Sequence, residues 1–137
     1  MRDPDDGESD AARLIADAQL AATRAPARGG AQIGLINGTG VRTSLVPDAS
    51  GALTYARIFA LQPFGNNLVV KTLSGAELKA VLEQQFDGGA GKPATVKSLL
   101  IPSRGFTFTY DLSRPAGERI RSMRLNGRPV DPRRDYR

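Results

Sequence analysis

Residues 61–86 read LQPFGNNLVVKTLSGAELKAVLEQQF, and most of the fold follows from how this stretch is divided. Pro63 fixes the entry to a tight turn and Gly65 permits its exit, so Phe64 is held where a core residue is least expected. The apolar run 67–73, NLVVKTL, predicts a strand rich in β-branched residues. From residue 74 the pattern changes period: Ser74-x-x-Glu77 forms a capping box, and Leu78, Val81, Leu82 and Phe86 fall on one face of a helix over 74–86. Two roles are open to Phe64 at this point. The ring either folds back onto the core or offers a flat apolar face to a heterocyclic base.

The rest of the chain extends the alternation of helix and strand. AARLIADAQLAATR, capped by Ser9 or Asp10, places Ala11, Leu14, Ile15, Ala18 and Ala22 on one stripe of a helix over about 9–25, which Pro26, Gly29 and Gly30 end. AQIGLI then predicts a buried strand that delivers Asn37 to Arg42 at its carboxyl end. A loop over 43–53 leads to Thr54, which caps a short helix YARIFALQ. DGGAGKPATVK is a flexible connection, and GFTFTYDL alternates Phe106, Phe108 and Tyr110 with threonine, as in a strand with one aromatic face inward. Asn126-Gly127 accepts the positive φ of a type I′ turn, so RIRSMRL and RPVDP form a hairpin.

Composition narrows the chemistry. A chain of 137 residues with 40% hydrophobic residues suits one domain with one core, over 9–137, behind an acidic flexible leader at 1–8. With neither histidine nor cysteine, imidazole-based catalysis and thiolate metal sites are out of reach of these residues. No run is long and apolar enough for a bilayer span, no membrane partner is expected, and the leader has no signal-peptide centre, so the chain is either cytosolic or cut from a longer one. The net charge of +5 favours anionic ligands. Many of the arginines fall in the last third, where Arg119, Arg121 and Arg124 fit one exposed strand face; they form a solvated surface or a nucleic-acid patch, without interleaved aromatics for stacking bases.

Two motifs carry binding chemistry. In NGTGVR, residues 37–42, glycines let backbone approach a ligand and Arg42 offers a planar fork of donors; the pattern by itself is better described as a glycine-containing turn with a surface arginine. It is neither a GxxxxGK[ST] loop nor a GxGxxG loop. QPFGNN supplies a ring and carboxamides.

Taken in order, NGTGVR, then LTYARIFALQPFGNNLVVKTLSGAELKAVLE, FTYDLSRPAGERI and LNGRPVDPRRDYR, the chain resembles the C-terminal, substrate-binding domain of the 5′-nucleotidase and UDP-sugar hydrolase family from about Ser9 onward. The resemblance implies an α+β fold in which a mixed β-sheet packs against the helices at about 9–25 and 74–86. It implies nucleoside or nucleotide recognition for a metal-dependent 5′-nucleotidase that acts on nucleoside 5′-monophosphates or nucleotide sugars. Catalysis, and the divalent metal ions, would belong to an N-terminal metallophosphoesterase domain of the same parent chain; this chain would hold no cofactor and be inactive alone. Phe64 would be one ring of an aromatic clamp, Asn37 and Asn66 would hydrogen-bond to the base, and Arg42 would bind ribose or phosphate oxygens. Family members work in the periplasm, on the cell wall or outside the cell. Relatives of this architecture also include sulfur-compound hydrolases, which need no stacking ring.

The sequence departs from the family pattern in places. NGTGVR has less glycine than the family's loop, so Thr39 narrows the approach or donates a hydroxyl. The leading helix lacks the family's opening stretch and its substrate-contacting arginine, so no residue is carried over there. The family's second ring and ribose-binding aspartate lie beyond the equivalent of Arg137, from which weak affinity and self-association through a truncated strand edge are expected. The rival reading, from another class, is a noncatalytic arginine-rich module that binds nucleic acid or an acidic partner.

Overall fold

The computed structural model describes residues 10–89 and 92–137. The expected leader and a cap at Ser9 lie outside the described residues. Among those described, three α-helices, α1 (Asp10–Thr23), α2 (Tyr55–Leu61) and α3 (Gly75–Glu83), are set among short strands. The strands are β1 (Leu35–Asn37), β2 (Leu73–Ser74), β3 (Phe86–Gly89), β4 (Lys92–Val96), β5 (Leu100–Pro102), β6 (Phe106–Tyr110), β7 (Ile120–Leu125), β8 (Arg128–Pro129) and β9 (Asp135–Tyr136).

The architecture is α+β, but the expected mixed sheet is replaced by four small sheets whose strand pairs are all antiparallel: β1–β5, β2–β9, β3–β4 and β6–β7–β8. The reason lies in residues 66–72. The expected strand over 67–73 is not formed along its length: residues 66–72 carry no regular secondary structure and no backbone hydrogen bond joins them to another segment among the described residues, so only Leu73 and Ser74 form a strand, with Tyr136 and Asp135. Strand propensity does not make a strand without a neighbouring ladder, and Leu68 and Val69 are exposed.

β1 and β5 form a ribbon between two cores. Ile36 and its partner Ile101 face α1, joining Ala11, Ala12, Ile15, Ala16 and Leu61. Leu35 and Leu100 pack against the other cluster, built on Leu78 and Leu82 of α3 with Phe86, Phe106 and Ile120. Period-two alternation on a ribbon covered on both sides explains why AQIGLI is apolar at successive positions.

The buried face of α1 is Ala11, Ala12, Ile15, Ala16 and Leu20, rotated from the expected stripe; Leu14 is 49% exposed, and Ala18 and Ala22 face solvent. Close approach decides this. A Cβ on Gly34 would stand 2.6 Å from the Ala16 carbonyl oxygen, so the helix sits on the ribbon through its smallest side chains.

Local signals appear as read. Ser74 Oγ accepts the Glu77 N–H at 3.2 Å while the Glu77 carboxylate accepts the Ser74 N–H at 2.7 Å, and Thr54 caps α2. α3 ends at Glu83, so Phe86 enters the core from β3 and not from the helix face. DGGAGKPATVK, expected to be a connection, contributes to the β3–β4 pair, with residues 90–91 outside the described region. Asn126 at φ 51° and Gly127 at φ 77° make the type I′ turn between β7 and β8.

Arg119 is not on an exposed face: it is 3% exposed, and its guanidinium donates to the carbonyls of Asp87 and Gly88 while Nε donates to that of Arg114. It satisfies backbone carbonyls of the β3–β4 hairpin and of the loop before β7, which explains its burial. Arg121 and Arg124 are exposed as expected.

Candidate functional site

The two motifs 20 residues apart in sequence meet where β1 ends and α2 ends. β1 carries Asn37 to the lip of the ribbon, and the chain turns at once through the single 3-10 turn Gly38–Gly40. The absence of a side chain at residue 40 matters here, since a Cβ would stand 2.9 Å from Asn37 Oδ1. The Arg42 N–H then donates to the Leu61 carbonyl at 2.9 Å, tying the NGTGVR loop to the last turn of α2.

α2 is attached to the body through Leu61, its one buried residue. Beyond it the Phe64 N–H donates to the Gln62 carbonyl at 2.8 Å across Pro63, which turns the ring outward. The ring is 42% exposed, and the Arg42 guanidinium carbon lies 5.3 Å from its centroid.

A cavity of about 680 Å³ opens between this turn, the 66–71 segment and the β1 side of the second core. Asn37, Gln62, Phe64, Asn66 and Asn67 line one side, while Ile33, Leu35, Leu78 and Leu100 give it an apolar floor. That size and composition match sites for drug-sized ligands, which are mostly apolar with a few placed polar groups. Among the described residues, the side-chain amides of Asn37 and Asn66 make no hydrogen bond, so their donors and acceptors face the cavity or solvent.

Of the four residues singled out in the sequence, Asn37, Phe64 and Asn66 therefore share one cavity. Arg42 is not on its wall and is held against the Phe64 ring instead. Thr39 is exposed and lines none of the cavity. Gln62, Asn67 and Lys71 also line it and were not singled out; the first two flank the Phe64 turn, and their carboxamides were the available signal. Among the described residues no group of three or more acidic, histidine or cysteine side chains could hold a metal ion. No helix among them is long and apolar enough to cross a membrane.

Known proteins resemble the chain in sequence and in overall fold. The chain is 31% identical over 134 residues to protein UshA of Yersinia enterocolitica, covering 95% of this chain and 20% of that protein. It is 30% identical over 122 residues to the trifunctional nucleotide phosphoesterase protein YfkN of Bacillus subtilis, covering 86% of this chain and 8% of that one. The crystal structure of a 5′-nucleotidase precursor from Thermus thermophilus superposes with a TM-score of 0.72 at 35% identity, over 94% of this chain and 24% of that chain. The chain thus spans a fifth or less of these two curated relatives and about a quarter of the solved structure. The family described as 5′-nucleotidase, C-terminal domain, matches residues 1–137. With its α+β fold and 35% identity to that nucleotidase structure, the chain belongs to the 5′-nucleotidase C-terminal domain family.

Proposed function

We propose that this chain is the nucleoside-recognition domain of a metal-dependent 5′-nucleotidase or related phosphoesterase. The observation that carries the reading is the exposed Phe64 ring at the wall of a cavity whose carboxamides, from Asn37 and Asn66, have no protein partner among the described residues. A base stacks on the ring while the two amides pair with its edge, and Gln62 and Asn67 extend the polar rim. Divalent metal ions in a phosphoesterase domain of the parent protein supply Lewis-acid activation of the phosphate. This chain's own residues bind and orient, converting base and ribose binding into position at the phosphorus. The same reading puts the parent protein in the periplasm, at the cell wall or outside the cell.

Titration of the 137-residue chain with AMP tests it. Saturable binding is expected to weaken roughly 5- to 150-fold in Phe64→Ala, the equivalent of about 1–3 kcal/mol of base–aromatic stacking. Absence of saturation, or indifference to Phe64, defeats the reading.

A second reading draws on charge. Residues 113–137 hold eight arginines against Glu118, Asp131 and Asp135, a net +5 that equals the net charge of the whole chain. A noncatalytic module that binds polyanions through this region would take up a short oligonucleotide with steep salt dependence and without regard to Phe64.

A further inference from the structure

We propose that a second cleft, between β8 and β9, binds a phosphate group, as the free ion or as a monoester, on Arg128, Arg134 and Tyr136. It is a different opening from the cavity beside Phe64, and the proposal does not depend on the nucleoside reading. It also differs from polyanion binding by spread charge, because recognition is confined to named donors.

The cleft measures about 450 Å³, a size ordinary for small-molecule sites. Arg128 opens β8 directly after the Asn126-Gly127 turn. Arg134 sits in the turn before β9, where its N–H donates to the Asp131 carbonyl at 3.2 Å and its carbonyl accepts the Gly75 N–H at 3.0 Å. Both side chains line the cleft, and neither guanidinium makes a hydrogen bond or ion pair among the described residues. A guanidinium fork matches the oxygens of a phosphate and holds its charge at every working pH.

Tyr136 supplies the second, independent observation. It is 8% exposed, and its hydroxyl oxygen accepts the Asp131 N–H at 2.9 Å. Accepting leaves the hydroxyl its own proton to give, and no acceptor for that proton occurs among the described residues. Tyr136 lines both openings, but Asp131, to which the hydroxyl is tied, lines only the cleft. Gln32 adds a further donor on the same wall: its Oε1 accepts the Arg137 N–H at 3.3 Å, and its NH2 group has no acceptor among the described residues.

The class of ligand follows from these donors. Two planar forks, a hydroxyl and an amide outnumber what the two oxygens of a carboxylate can accept, whereas a phosphate monoester presents three oxygens and a charge of about −1.5 to −2 near neutral pH. Leu125 and Pro129 give apolar wall beside the donors for the remainder of an ester. The acidic side chain on the wall, Asp131, opposes an anion; its Oδ1 accepts the Arg133 N–H at 2.9 Å, a bond that asparagine would keep.

NMR titration of the 137-residue chain with phenyl phosphate, inorganic phosphate and benzoate tests the proposal. Phenyl phosphate should bind saturably and shift the amides of Arg134 and Tyr136, not those of Asn37 and Asn66. Arg128→Gln and Arg134→Gln should each weaken it roughly five- to tenfold, Asp131→Asn should tighten it, and Arg121→Gln should leave it unchanged. Inorganic phosphate separates the sources: equal affinity assigns the cleft to the free ion, weaker affinity to esters, and either result upholds phosphate recognition. Absence of saturation by both phosphates overturns the proposal, as does benzoate binding as tightly as phenyl phosphate. Equal losses in Arg121→Gln, Arg128→Gln and Arg134→Gln would replace the site by diffuse charge, and shifts centred on Asn37 and Asn66 would move the ligand to the larger cavity; both outcomes overturn it.

Discussion

Ser103 and Gly34 hold each other twice: the Ser103 N–H donates to the Gly34 carbonyl at 2.9 Å, and the Gly34 N–H donates to the Ser103 hydroxyl oxygen at 2.9 Å. Both residues are buried, and together they extend the β1–β5 ladder one step beyond the Leu35–Pro102 pair, which fixes the ribbon that delivers Asn37. In Ser103→Ala the Gly34 N–H stays buried without an acceptor, so the chain should lose about 1–3 kcal/mol in urea denaturation. A loss near zero would show that the backbone bond alone sets the register.

Phe64 and Phe106 should respond in opposite ways to truncation. Phe106 is 1% exposed in the second core, so Phe106→Ala should cost about 3–5 kcal/mol and lower the melting temperature sharply. Phe64→Ala should leave thermal stability within about 0.5 kcal/mol. Differential scanning fluorimetry of both variants checks this. A large drop for Phe64→Ala would make the ring a folding residue.

Arg119 predicts a contrast among arginines of one strand region. Arg119→Ala removes the donors to three carbonyls and should destabilise by about 3 kcal/mol. Arg121→Ala, at an exposed position, should change stability by about 0.5 kcal/mol or less. Equal effects in equilibrium unfolding would contradict the buried placement.

The acid limb of stability should depend on Glu83. Burial pushes its carboxyl up, but the Ile120 N–H at 2.6 Å and the Lys79 ammonium at 3.2 Å outweigh it, so its pKa lies below the ordinary 4.5. A depressed folded pKa means the stabilisation is fully present above the unfolded value and fades as pH falls through the folded one. Asp48, Glu77 and Asp111 are lowered too, by hydrogen bonds from Ser50, Ser74 and Ser113 respectively, and push the same way. Glu83→Gln should cost about 1–3 kcal/mol at neutral pH and flatten the loss of stability below pH 4.5. Urea midpoints from pH 3 to pH 7, roughly the carboxylate range and above, measure both effects.

Tyr55, Ile58, Phe59, Leu68 and Val69 are exposed on α2 and the unladdered segment after it. Backbone groups with no ladder partner beside exposed apolar side chains offer a pairing surface to a second copy. Sedimentation velocity should show concentration-dependent association of the 137-residue chain that Val69→Lys reduces; a single monomeric species at every concentration argues against it.

What the sequence revealed and what it hid divide along range. The Ser74–Glu77 box, the Thr54 cap and the Asn126-Gly127 turn involve partners within three residues of each other, so spacing alone identified them. Misreadings came from distant partners. The burial of Arg119 depends on carbonyls at residues 87 and 88, and the face of α1 depends on how near Gly34 comes to Ala16. Residues 67–72 have strand propensity, but whether a ladder forms beside them is a property of the neighbour. At the site, three of four candidates converge because they sit at the two chain reversals that the Arg42–Leu61 bond joins, while the position of the Arg42 side chain depended on where the ring turned.

The ribbon formed by β1 and β5 is a party wall: Ile36 belongs to one hydrophobic room and Leu35 to the next. Neither helical layer can melt without stripping apolar cover from the same two strands, so the chain should unfold in one cooperative step, with the amides of Ile36 and Ile101 among the last to exchange. Asn37 hangs from the end of that wall, which makes the open rim of the cavity an extension of the most firmly held part of the molecule.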